Sequence, residues 1–191
     1  GSSHINPTGL SQPLDFLPDA IYTPGCDDRG DTTDALLEEA RKAAQQAEVA
    51  VVFAGLPDHY ESEGFDRDDM KMPAGHLRMI EAVASANSNT IVVLLCGSAV
   101  ECPWADRVKA VLYMGLPGQA GGEAIADLLY GRVNPGGKLA ESWPFAYGDV
   151  PSSEVYGETA DALYQEGVYV GYRYYDKAGV PVRWPFGYGL S

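Results

Sequence analysis

Three uninterrupted apolar runs limit what this chain can fold into: Val49-Ala50-Val51-Val52-Phe53-Ala54, Thr90-Ile91-Val92-Val93-Leu94-Leu95, and Val108 to Met114. Each is closed by a glycine, at Gly55, Gly97 and Gly115. Runs this short, bounded by turn signals and rich in β-branched residues, read as strands. They are apolar throughout rather than alternating, so both faces must be covered. Between them lie helical patterns. Asp31-Thr32-Thr33 supplies N-cap residues for a segment over 34–48, whose apolar face holds Leu36, Leu37, Ala40, Ala43, Ala44 and Ala47. Pro73 opens a second helix over 74–87, with Leu77, Ile80, Val83 and Ala84 as its stripe. A third runs through Ala124, Ile125, Leu128 and Leu129 to Gly131. The alternation predicts an α/β fold: a three-layer αβα sandwich with a mostly parallel sheet. Lys138-Leu139-Ala140 predicts one further short strand.

The flanks read differently. Residues 1–30 carry Pro7, Gly9, Pro13, Pro18, Pro24, Gly25 and Gly30, and are expected to be a linker or loop entering the domain. Residues 31–191 form that domain, with an acidic loop over 56–72. From about 141 onward Trp, Tyr, Gly and Pro dominate with no helical period, so aromatic-rich loops and short strands are expected at the C-terminal end.

The chain has 191 residues, with 27 acidic against 13 basic, for a net charge of −14. Nucleic acids and anionic membranes need a basic footprint, so neither is expected as a partner. No run approaches the ~20 apolar residues of a membrane span, and no signal peptide is visible. Cys26, Cys96 and Cys102 give no complete disulfide framework. Cys96 ends an apolar run and is expected to be a buried structural thiol. The spacing of the cysteines and the scattered His4, His59 and His76 match no metal site, so no metal is expected.

The acidic loop is His59-Tyr60-Glu61-Ser62-Glu63-Gly64-Phe65-Asp66-Arg67-Asp68-Asp69. It lies just past the carboxyl end of the first strand, where open α/β sheets put their ligands. A carboxylic acid on such a loop can protonate a leaving-group oxygen. A second carboxylate, about 5 Å away in retaining glycosidases, is then needed as nucleophile. Glu61, Glu63, Asp66, Asp68 and Asp69 are all eligible on physical grounds. The Asp66-Arg67 pair can equally be structural, pinning the loop.

Other motifs fall short. Gly115-Leu-Pro-Gly118-Gln-Ala-Gly121-Gly122 lacks the dinucleotide spacing and reads as a tight strand-to-helix turn. Gly131-Arg-Val-Asn-Pro-Gly136-Gly137-Lys138 follows a helix rather than a strand, and Leu139 stands where a phosphate loop needs Ser or Thr. Cys96-Gly97-Ser98 is not a nucleophile elbow. No cofactor is expected.

Glu61-Ser-Glu-Gly-Phe-Asp-Arg67 followed by Met72-Pro73 resembles the glycoside hydrolase family 3 β-glucosidases. The resemblance extends to residues 1–8, Asn89 to Leu94, Pro103-Trp104, Pro117 to Gly122, Gly131 to Leu139, Glu166 to Tyr175 and Pro185 to Leu190. It implies the αβα sandwich that packs against a (β/α)8 barrel in that family, here lacking the family's first strand. It also implies a retaining exo-β-glycosidase acting on terminal β-linked sugars. The family's nucleophile is an Asp of the barrel, in a Ser-Asp-Trp-like motif that this chain does not contain. The family's proton donor falls on Glu63. Asp66 and Arg67 would structure the loop, while Ser3, His4 and Glu61 would contact substrate. The expected partners are a barrel, in cis or as a separate chain, and a small glycoside or oligosaccharide. The chain would then be a fragment, a processed piece or half of a split enzyme, inactive alone. The rival expectation is a non-catalytic carbohydrate-binding or structural sandwich module.

Overall fold

A computed structural model describes residues 6–157, 160–161 and 164–191. They form two compact units. The first takes the chain through Asp68, with Met72–Ser98 and Trp104–Val133; the second takes Asp69–Lys71, Ala99–Pro103 and Asn134–Ser191.

The first unit holds a parallel sheet ordered β1 (Ala50–Gly55), β2 (Thr90–Leu95), β3 (Ala110–Tyr113). Ala50 to Gly55 pair in register with Thr90 to Leu95, and Ile91 to Leu94 pair with Ala110 to Tyr113. Central β2 explains why its sequence is apolar throughout: Val92, Val93 and Leu94 have no solvent exposure at all. Each such side chain contributes about 1.5–3 kcal/mol relative to leaving it in water.

Helix α1 (Asp34–Gln46) starts where the Thr33 hydroxyl accepts from the Leu36 amide. It packs on α2 (Ala74–Ala86). Leu37, Ala40 and Ala44 are buried on one helix, and Met79, Ile80 and Val83 on the other. The Asn87 side-chain amide donates to the Ala44 and Ala47 carbonyls at 2.9 and 2.8 Å, satisfying the open carbonyl end of α1 from the end of α2. Helix α3 (Gly121–Leu129) packs against a 3-10 turn at Pro13–Phe16, and the Gly122 amide donates to the Ser11 hydroxyl. Cys96 is fully buried.

The α/β class and the parallel sheet agree with the sequence pattern, but three details differ. The third strand is shorter than the Val108–Met114 run, because Ala105–Arg107 form a 3-10 turn and β3 is a partly exposed edge. Residues 138–140 form no strand. Leu139 instead donates to the Tyr188 carbonyl and accepts from the Gly187 amide. The pairing comes later, where β4 (Trp143–Pro144) runs antiparallel to β5 (Val182–Trp184) in the second unit. The Trp143 and Trp184 rings meet edge-on there, 5.5 Å apart.

The segment beyond 141 also contains a helix, α4 (Tyr172–Ala178), that the sequence did not reveal. Tyrosine is a middling helix former, and only Tyr175 of its seven residues is buried, so no apolar stripe exists to read. The helix ends at Gly179 in the left-handed region, where the Val180 amide returns to the Tyr175 carbonyl.

Candidate active site

The acidic loop leaves β1 at Gly55 and is set by the neighbouring strand at once. The Leu56 amide donates to the Leu95 carbonyl. The Tyr60 and Glu61 amides both donate to the Pro57 carbonyl, closing a tight turn. Ser62 and Phe65 then form an antiparallel bridge. This bridge leaves Glu63 and Gly64 at the tip of a two-residue turn, both exposed. Phe65 is exposed as well.

The base of the turn is held differently. Glu61 accepts from the Gly97 amide at 2.7 Å and from the Ser98 hydroxyl at 2.6 Å. Arg67 Nη1 donates to the same Ser98 oxygen at 2.9 Å. These are short, charge-assisted bonds. One serine on the turn after β2 thus meets the residues on both sides of the loop tip. Gly97 leaves room for this, since a β-carbon there would come within 3.2 Å of the Glu61 carboxylate.

Of the remaining candidates, Asp66 and Asp68 are exposed. Asp69 accepts from the Lys71 amide at 2.8 Å. Ser3 and His4 lie outside the described residues. No cluster of three potential metal ligands occurs among the described residues, and no helix there is long and apolar enough to cross a membrane.

Two features escaped sequence reasoning. Ser98 had appeared only as part of a rejected nucleophile motif. His76, named only among the scattered histidines that match no metal site, sits in the first turn of α2 with Nδ1 3.0 Å from the Gly55 carbonyl oxygen. It therefore stands under the point where the loop departs. Burial holds its imidazole below the ordinary value of 6.5, against the opposing pull of the Gly55 bond and of Asp27.

The depressed value gives a pH dependence with a definite sign. The unfolded chain takes up this proton before the folded one does. The stability contributed by neutral His76 is present above about pH 6.5 and lost as pH falls through the folded value. Urea midpoints measured from pH 7 down to pH 5 should fall, and should fall less steeply for His76→Gln. Parallel curves for the two proteins would exclude this role.

The second unit contains a cleft of about 210 Å³ whose lining includes Glu141, Ser142, Ser152, Glu166 and Tyr175. Partial burial pushes the Glu141 carboxyl up, against a hydrogen bond from the Ala99 backbone. Burial, with Asp149, Tyr174, Glu141 and Glu166 nearby, pushes the Tyr175 phenol up to about 12. The phenol is thus a neutral hydrogen-bonding group rather than a base at ordinary pH.

The chain matches the model of the glycosyl hydrolase family 3 C-terminal domain over residues 1–172. It is 51% identical over 200 residues to thermostable beta-glucosidase B of Acetivibrio thermocellus, covering 100% of this chain and 26% of that protein. An exo-alpha-(1->6)-L-arabinopyranosidase of Bifidobacterium longum is 47% identical over 198 residues, again with 100% and 26% covered. Among solved structures, the GH3 beta-glucosidase of Bifidobacterium adolescentis superposes with a TM-score of 0.91 at 43% identity, covering 100% of this chain and 29% of that one. The chain therefore spans about a quarter of the length of the curated relatives it matches.

Proposed function

The chain belongs to glycosyl hydrolase family 3, to its C-terminal domain, and from that premise we propose that it supplies the general acid/base of a retaining exo-β-glycosidase. Glu63 is the acid/base. The nucleophile is an Asp of a (β/α)8 barrel, provided in cis or by a separate chain. In the first step the barrel carboxylate attacks the anomeric carbon as Glu63 gives its proton to the glycosidic oxygen, and the leaving alcohol departs. In the second, the Glu63 carboxylate takes a proton from water as that water attacks the same carbon, releasing the free sugar and the barrel carboxylate.

The observation that carries this reading is the placement of Glu63, exposed at the tip of the two-residue turn that the Ser62–Phe65 bridge closes. A general acid must reach the bond it protonates. The substrate class is a terminal β-glucoside. An α-L-arabinopyranoside is a second reading, favoured by the whole-chain match to the Bifidobacterium longum protein.

One carboxylate cannot complete a double displacement. The purified 191-residue chain is therefore expected to show no turnover of an aryl β-glucoside or aryl α-L-arabinopyranoside. Joined to its barrel, it is expected to hydrolyse at least one of them. Turnover by the isolated chain would sink the proposal. So would sugar binding by the isolated chain in calorimetry with no activity gained from the barrel, which is the outcome expected of a non-catalytic module.

A further inference from the structure

We propose that Ser98 is a positioning residue for the reaction, the central pin of a clasp that fixes the turn carrying Glu63. This rests on the reading of Glu63 as acid/base and assigns a different job to its neighbour Glu61. The hydroxyl of Ser98 has one proton to give and lone pairs to receive with. It donates to Glu61 Oε1 at 2.6 Å and accepts from Arg67 Nη1 at 2.9 Å. The second oxygen of Glu61 is taken by the Gly97 amide at 2.7 Å. Both carboxylate oxygens of Glu61 are thus committed to protein groups. The geometry points to Glu61 as an anchor rather than a sugar ligand.

The position of the clasp matters more than its strength. Glu61 and Arg67 enclose the tip, and the Ser62–Phe65 bridge lies between them. Fixing both sides to one hydroxyl restricts the tip in angle as well as in place. Ser98 itself is three residues past the end of β2, the central strand, whose Val92, Val93 and Leu94 are wholly buried. The clasp therefore refers the position of an exposed carboxylate to the central strand of the sheet. Displacing a catalytic group by about 1 Å can cost on the order of 100-fold in rate.

The test uses the complete protein, this domain with its barrel, and two substrates that differ in their need for an acid. An alkyl or phenyl β-glucoside needs its leaving group protonated, whereas a 2,4-dinitrophenyl β-glucoside does not. Ser98→Ala is expected to lower kcat/KM on the first by about 100-fold and on the second by less than about threefold. Azide should give no gain, because the Glu63 carboxylate is still present to repel it. The melting temperature should stay close to that of the parent. Ser98→Thr, which keeps the hydroxyl, should recover most of the loss. Glu61→Gln, which keeps the shape but weakens acceptance, should show the same dependence on leaving group and covers the case in which Ser98→Ala misfolds.

An equal fall on both substrates would overturn the clasp, as would no fall at all, or failure of threonine to recover activity. Glu63→Ala, measured alongside, separates the two proposals. If that variant depends on leaving group and is rescued by azide while Ser98→Ala is unremarkable, only the clasp fails. If Glu63→Ala shows neither property, the acid/base reading fails, and the clasp as a positioner of the acid fails with it.

Discussion

Replacing Glu63 with alanine in the complete protein is expected to lower kcat/KM on a phenyl or alkyl β-glucoside by about 10²- to 10⁴-fold, the usual contribution of general acid–base catalysis. On a 2,4-dinitrophenyl glucoside the first step needs no proton, so kcat/KM should hold close to the parent value. Turnover of that substrate should then be limited by hydrolysis of the glycosyl-enzyme, which has lost its base. Azide needs no base to attack the anomeric carbon, and the truncated side chain leaves space for it. Added azide should therefore raise kcat and yield the glycosyl azide with the anomeric configuration of the substrate. The alternatives are separable because the eligible carboxylates sit in different surroundings: Glu61 in its pair of short bonds, Glu63 at the turn tip, Asp66 exposed on the return. The same rescue in Glu61→Ala or Asp66→Ala, and not in Glu63→Ala, would move the catalytic role.

The second large effect is on folding. Gly55→Ala is expected to destabilise the protein by about 3 kcal/mol or more, a melting shift of roughly 10 °C for a chain of this size. Gly55 pairs with Leu95, and a methyl group built on it would overlap the Leu95 carbonyl oxygen. That oxygen accepts the Leu56 amide, and the Gly55 carbonyl faces His76. The obstacle is backbone in a paired sheet, so no rotamer change relieves it. Either β1 parts from β2 at its carboxyl end or the sheet shifts. Both outcomes move the start of the acidic loop, so activity should fall along with stability. Gly64→Ala is the control: nothing lies within 4 Å of a β-carbon there, and the change should stay within about 0.5 kcal/mol. Equal melting temperatures for the two variants would contradict this account of the strand end.

How much of this was legible in the chain depends on distance along it. The strands Ala50–Gly55 and Thr90–Leu95 and the helices Asp34–Gln46 and Ala74–Ala86 were readable because burial marks neighbouring residues, as an unbroken apolar run in the strands and as a periodic stripe in the helices. Tyr172–Ala178 was not, because a helix with one buried residue leaves no period. The strand expected at Lys138–Ala140 failed for a related reason. Its single pair of bonds, between Leu139 and the Gly187–Tyr188 segment, depends on residues about fifty positions away, and the strand pairing itself formed at Trp143–Pro144. In the loop, the residue types announced carboxylate chemistry but left five candidates. Family resemblance, not spacing, singled out Glu63. What holds Glu61 in the structure is Ser98, thirty-seven residues further along, and no local pattern carries that relation.

That separation has a consequence for how the site comes into being. Glu61 meets Gly97 and Ser98 only after the chain has run through β1, α2 and β2 and brought the two parallel strands side by side. Parallel pairing across a crossover closes a long loop before any contact repays it, and so forms slowly. The carboxylates emerge from the ribosome well before the serine that holds their loop. A chain halted short of Ser98 would carry every acidic residue of the loop without the Ser98 bonds to Glu61 and Arg67. The clasp on Glu61 and Arg67 therefore depends on completing the pairing of β1 with β2, and not on the loop alone.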